Sequence, residues 1–194
     1  MMSRVKIMSL LLLGLGLAAV MTIGIYAEQT ADKSDVSIRK MEPQKVLYTI
    51  YRGEYEKIGK AIGNLFGMAM KNQIWPKGSI SLVYLNNPQY ISGEHCLVEI
   101  RIPVDQDTLK LAGTLGEMTD VKEIKAMEVA VIKKSAGQMN YDSLYNSLHT
   151  WISRNGYVTT ENACEIFTTT GGMTDYSQLN SEIVIPVEKL SPAD

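Results

Sequence analysis

The segment Glu182-Ile183-Val184-Ile185-Pro186-Val187 decides how this chain reads, because Glu99-Ile100-Arg101-Ile102-Pro103-Val104 is an earlier copy of it. The copies are offset by 182 − 99 = 83 residues, five of their six positions are identical, and the proline is in register. A single long offset points to a duplicated supersecondary unit rather than a solenoid of short repeats.

Working outward, the same offset carries a buried face. From Tyr55 to Asn72 the apolar period is helical, with Ile58, Ala61, Ile62, Leu65, Met68 and Ala69 on one stripe. Moved by the offset, the stripe becomes Tyr141, Leu144, Tyr145, Leu148, Trp151 and Ile152. The residue types change while the pattern persists. Before the first helix, Val46 to Tyr51 is β-branched and aromatic, as strands are. Strands are predicted after it at Ser79 to Leu85 and His95 to Ile102, with Pro103 closing the unit. The second copy reads as a strand from Met127 to Lys133, a helix from Asn140 to Asn155 stopped by Gly156, and strands Asn162 to Thr168 and Ser181 to Val187, with Gly171-Gly172 at the turn. Short entry strands, near Val36 and Thr119, complete module one (36–104) and module two (119–187).

The predicted class is therefore α+β, a strand-helix-strand-strand module used twice about a pseudo-twofold axis. Each sheet buries one face under its helix, so the opposite faces are expected to close on each other or around a ligand, giving a central cleft.

At the N-terminus, Arg4 and Lys6 precede a charge-free apolar run from Ile7 to Ala27. That length suits a bilayer-crossing helix, and the basic start followed by an apolar run also suits a secretory signal. Residues 1–27 are accordingly expected to be a signal peptide or membrane anchor and 28–35 a polar tether. The remainder, 36–190, is expected to be exported, either membrane-anchored through 7–27 or secreted or periplasmic. Without Arg4 and Lys6 the chain has 19 − 2 = 17 basic against 21 acidic residues. A mildly acidic domain has no electrostatic basis for non-specific nucleic-acid binding, and no nucleic-acid partner is expected. Cys96 and Cys164 read equally as a pair or as two buried thiols. The two histidines, His95 and His149, have no partner at metal-ligand spacing, and no nucleophile motif or phosphate loop occurs. Neither metal nor cofactor is expected, and the oligomeric state is left open.

In order and spacing, Tyr51-Arg52-Gly53-Glu54-Tyr55, Val83-Tyr84-Leu85-Asn86-Asn87-Pro88, Glu165-Ile166-Phe167 and the strands Val98 to Val104 and Ser181 to Val187 resemble the GyrI-like small-molecule-binding family. This is the effector-binding domain of AraC- and MerR-type transcription activators. The resemblance implies the duplicated SHS2-type module with a ligand between its copies, and a glutamate two residues before an aromatic in the second copy. Glu165 and Phe167 occupy those positions. In a strand they share one face. The offset adds Tyr84, the counterpart of Phe167, and Tyr48 is the candidate from the strand before the first helix. Glu165, Tyr84, Phe167 and Tyr48 are thus the expected ligand contacts.

A carboxylate among aromatic rings suits an amphipathic and, in its sharpest form, cationic ligand. The main expectation is an exported or tethered binding protein without turnover. The alternative is a hydrolase of strained electrophiles, as the resemblance implies for some relatives, with Glu165 as base and Tyr84 as acid or hydrogen-bond donor. A second alternative, again from the resemblance, is an inhibitor acting by protein contact.

Overall fold

A computed structural model describes residues 35–87, 90–138, 140–168 and 178–191. The expected signal or anchor over 1–27, the tether up to residue 34 and the Gly171-Gly172 turn lie outside the described residues. No helix among the described residues is long and apolar enough to cross a membrane.

The chain runs β1 (Ser37–Met41), β2 (Gln44–Arg52), α1 (Ile58–Lys71), β3 (Ser81–Tyr84), β4 (Leu97–Val104), β5 (Thr119–Ile124), β6 (Met127–Lys134), α2 (Tyr141–Arg154), β7 (Tyr157–Thr159), β8 (Cys164–Phe167) and β9 (Ser181–Lys189). A 3-10 turn at Tyr55–Lys57 leads into α1, and another at Gln106–Leu111 fills the crossover. The architecture is α+β. Both helices have 14 residues.

The strands form one antiparallel sheet in the order β1-β6-β9-β8-β3-β4-β2-β5, with β7 added beside β9. Two separate sheets facing each other, as the sequence suggested, are not what the described residues build. Instead β3 and β8 hydrogen-bond to each other in the middle, pairing Ser81 with Ile166, Leu82 with Glu165 and Val83 with Cys164. Each entry strand also crosses to the other half, β1 pairing with β6 and β5 with β2.

Both helices lie on one face of this sheet. Under α1, its buried residues Ile58, Ile62, Leu65 and Ala69 join Leu47, Leu82, Val98, Ile100 and Ile102 in one cluster. Leu144, Leu148 and Ile152 of α2 join Ala130, Ile132, Ile183, Ile185 and Val187 in another. Each fully buried aliphatic side chain contributes about 1.5–3 kcal/mol relative to exposure, so these stripes hold the helices down. That includes α1 despite its three glycines. The opposite face carries a third cluster, Val83, Val129, Val131, Cys164 and Val184.

The two prolines of the repeated segment do not end their strands; Pro103 lies within β4 and Pro186 within β9. Their carbonyls accept hydrogen bonds from Lys77 and Thr160, at 2.8 and 3.0 Å, rather than from a neighbouring strand. A strand residue points its nitrogen and its carbonyl to the same side. Each proline nitrogen therefore faces a side where β3 or β8 does not extend, and no ladder donor is lost.

Candidate functional site

Glu165 is the middle of the molecule in a literal sense. It lies on β8, flanked by Leu82 of β3 and Ile183 of β9, on the helix-bearing face between the two helical clusters. Strand alternation fixes that orientation, since Leu82 packs in one cluster and Ile183 in the other. Cys164 and Ile166 occupy the opposite face. The β3–β8 ladder merges the two halves edge to edge and leaves Glu165 between the two helical clusters.

The Glu165 side chain has no solvent exposure. Its Oε2 accepts a hydrogen bond from Tyr84 Oη at 2.7 Å, and its Oε1 accepts one from Ser181 Oγ at 2.6 Å. Tyr141 Oη, on the first residue of α2, stands 3.3 Å from both oxygens. Lys134 Nζ is 3.4 Å from Oε1 and also donates to the Leu179 carbonyl at 3.3 Å. Lys134 ends β6 and pairs with Ser181, the first residue of β9, so one rung of the sheet delivers both partners. Asn140 caps α2 by accepting from the Ser143 amide at 3.0 Å, which fixes the turn that presents Tyr141.

A fourth residue extends the chain of hydroxyls. Tyr55 Oη is 3.0 Å from Tyr84 Oη, and the rings stack with centroids 6.1 Å apart. Because the one Tyr84 proton goes to the carboxylate, Tyr55 is the donor to Tyr84. Burial raises the pKa of Tyr55, Tyr84, Tyr141 and Tyr145 above the ordinary tyrosine value, and the Glu165 charge adds to the shift. All four phenols therefore remain proton donors at neutral pH. Their rings are half-buried and flank a fully buried carboxylate.

The four residues expected from sequence divide. Glu165 and Tyr84 are brought into direct contact. Phe167 is 2% exposed and belongs to the α1 cluster. Tyr48 pairs with Arg101 and Asp120 and carries the Lys122 ammonium 4.3 Å above its ring. It sits next to the inward Leu47, hence on the face away from Glu165. Sequence reasoning missed Lys134 and Ser181 and took Tyr141 for a core residue. Alternation held the missing signal, because Lys134 follows Ala130 and Ile132 on an inward face where a lysine needs a partner. Cys96 and Cys164 are buried free thiols, and burial pushes the Cys164 thiol up to about 11. No group of His, Cys, Asp and Glu among the described residues is arranged to hold a metal ion.

One path of antiparallel strands, two helices on one side and a buried, hydroxyl-bound carboxylate between the helical clusters define an α+β domain with a carboxylate-centred site. The chain belongs to the GyrI-like small-molecule-binding domain family, whose model matches residues 34–188. Among solved structures it is similar to the EcmrR C-terminal domain, with a TM-score of 0.66 and 17% identity over 80% of this chain and 98% of that one. It is also similar to EcmrR in its complex with DNA, with a TM-score of 0.67 and 15% identity over 96% of this chain and 70% of that one. A hydrolase from Listeria innocua superposes with a TM-score of 0.58 and 10% identity, over 82% and 94% of the respective chains. No curated protein sequence gives a significant match.

The expectation of an exported, membrane-anchored or secreted protein draws no support from these findings: no helix among the described residues is long and apolar enough to cross a membrane. The apolar composition of 7–27 suggested that reading on length and hydropathy alone, which do not separate an anchor from other apolar segments. The carboxylate expected to receive a cation is already paired with Lys134.

Proposed function

We propose that this chain is a hydrolase that adds water to an uncharged, strained electrophile, with Glu165 as general base and Tyr84 as proton donor. The observation that carries the reading is the 2.7 Å hydrogen bond from Tyr84 to a fully buried Glu165, among phenols that stay protonated. In a three-membered cyclic ether, the Glu165 carboxylate takes a proton from water as the water oxygen bonds to a ring carbon. The ring C–O bond breaks, and its oxygen takes the Tyr84 proton. Tyr84 then recovers a proton from Glu165 along their existing hydrogen bond. One water has been added and both side chains are restored. Tyr55, donating to Tyr84, stabilises the phenolate formed in passing. The structural likeness to a protein described as a hydrolase is consistent with this reading.

The arrangement of elements supports a duplicated module as the origin of the site. The helices begin at Ile58 and Tyr141, and the central strands at Ser81 and Cys164, both pairs 83 apart (141 − 58, 164 − 81). Moved by that offset, the strand order reads the same from either end. A pseudo-twofold axis through the β3–β8 ladder would place Glu165 beside it and the ligand cleft between α1 and α2. Within this reading 36–190 is the binding domain, with modules 36–104 and 119–187.

Incubation with styrene oxide, followed by chromatography for the diol, tests the proposal. Glu165→Gln is expected to lower kcat by about 10²–10⁴-fold, and Tyr84→Phe by about 10²-fold. Recovery of unchanged epoxide and other strained electrophiles from the wild-type protein would sink the hydrolase reading.

A further inference from the structure

We infer that Lys134 determines which ligands the site accepts: its ammonium occupies the place of a cation beside Glu165, so the site takes uncharged molecules and rejects lipophilic cations. The inference rests on the reading above in one respect, that ligands meet Glu165 and its tyrosines.

An organic cation held by protein needs an anion, a carbonyl or hydroxyl oxygen, and an aromatic face. The Lys134 ammonium already has one of each. Nζ lies 3.4 Å from Glu165 Oε1, 3.3 Å from the Leu179 carbonyl and 5.4 Å from the Tyr141 ring centroid. Tyr84, Ser181 and Tyr141 also donate to the carboxylate. A second cation brought to the same carboxylate would sit against a fixed positive charge in a buried, weakly screened site. Like charges so placed repel far more strongly than in solvent.

Lys134 has no easy way out of that position. It is 1% exposed and its side chain is completely covered. As the last rung of β6, opposite Ser181, it shares the inward face with Ala130 and Ile132. The four-carbon stem thus belongs to the packed interior, and moving the ammonium into water would strand a buried carboxylate. An uncharged electrophile meets no such penalty, since the tyrosine hydroxyls recognise its oxygen by hydrogen bonding alone.

Two probes of matched shape separate charge from fit: the tetraphenylphosphonium cation and neutral triphenylphosphine oxide, each titrated calorimetrically into the full chain. The wild type is expected to bind the oxide at least as tightly as the cation. In Lys134→Met the order reverses, the cation gaining about ten-fold or more over the oxide. The double variant Lys134→Met/Glu165→Gln, with neither charge, shows no such gain. A wild type that prefers the cation overturns the inference, as does a folded Lys134→Met whose cation-to-oxide ratio matches the wild type. Should Lys134→Met fail to fold, the wild-type ratio decides alone, the oxide bound more tightly upholding the inference and the cation bound more tightly overturning it. Styrene oxide turnover is scored separately. Cation preference in an enzyme that turns over sinks this inference and leaves the hydrolase reading standing; oxide preference without turnover does the reverse.

Discussion

At four positions related by the 83-residue offset, the two halves of the sheet make opposite choices. The first half has Tyr51, Ile58, Leu82 and Val98; the second has Lys134, Tyr141, Glu165 and Ser181. Burial matches in two of the four pairs, Leu82 and Glu165 at 0% each and Val98 and Ser181 at 1% and 2%, whereas Tyr51 and Tyr141 are half-buried where Lys134 and Ile58 are buried. Leu82 and Glu165 are direct partners across the central ladder. At the two matched pairs topology sets the depth, and chemistry sets whether a polar group survives there. Glu165 survives because a cation and three hydroxyl donors reach it together. Among the described residues no buried side-chain nitrogen or oxygen lacks a hydrogen-bond partner. The first half keeps these four positions free of charge and supplies Tyr84 and, behind it, Tyr55 to the carboxylate of the second.

The comparison breaks most sharply if the second half is given the residue of the first. Glu165→Leu leaves the Lys134 charge buried without its counter-ion, and removing one partner of a buried pair costs about 3–5 kcal/mol. Adding Lys134→Met to that variant removes the stranded charge as well. Apolar replacement of both partners is often neutral or stabilising by about 1–4 kcal/mol, so the double variant should regain wild-type stability or exceed it while hydrolysis stays absent. Urea melts of the wild type, the single and the double variant give the three values. A double variant as unstable as the single one would mean that Glu165 and Lys134 act independently and that the comparison between halves is empty.

The asymmetry also explains how much the sequence revealed. Helix α1, helix α2 and the strands around them are legible because each needs only local periodicity, and the repeated segment ties them to one plan. Glu165 and Tyr84 stand out as members of motifs in a fixed order, and the structure sets them 2.7 Å apart. The face that Glu165 occupies was not legible, because it depends on β3 pairing with β8, a contact between residues about 80 apart with no local signature. Tyr48 was drawn in on the strength of a strand pattern, which gives alternation but not which side meets the helices. Lys134 and Ser181 look like ordinary strand-end residues until the ladder between β6 and β9 places them on the same rung. The N-terminal run was read on length and hydropathy alone, and no helix among the described residues bears out the membrane span they suggested.

A finer break concerns the hydroxyl that has an aliphatic counterpart. Val98 packs under α1, and its offset partner Ser181 donates 2.6 Å to Glu165. In Ser181→Val the carboxylate loses a donor it cannot replace from water, and a hydrogen bond to a charged group is worth about 1.5–3 kcal/mol. The reciprocal Val98→Ser places a hydroxyl under α1 with no carboxylate to receive it, so it too should destabilise. If Ser181→Val melts like the wild type, the donor set around Glu165 holds more slack than its short distances imply.

The smallest effect distinguishes, by proton linkage, a phenol bound to Glu165 from one outside its network. Tyr84 and Tyr51 both have pKa values raised above the ordinary tyrosine value of 10.0, in each case chiefly by burial. For a phenol raised in the folded state, the unfolded chain deprotonates first as pH climbs. Its stabilising contribution is complete below pH 10 and is lost progressively above it, up to the folded pKa. Within that window each such tyrosine lowers stability by about 1.4 kcal/mol per pH unit. Denaturant melts at steps between about pH 9 and 11 should therefore show a falling stability that Tyr84→Phe makes shallower by roughly that slope. Tyr51 donates its hydroxyl to the Glu54 carbonyl at 2.7 Å, outside the Glu165 network, and its shift owes nothing to that carboxylate. Tyr51→Phe should flatten the alkaline limb less than Tyr84→Phe does. Equal flattening by the two variants would mean that a phenol on the carboxylate holds its proton no more tightly than one outside the network, and the distinction between the two tyrosines would reduce to packing.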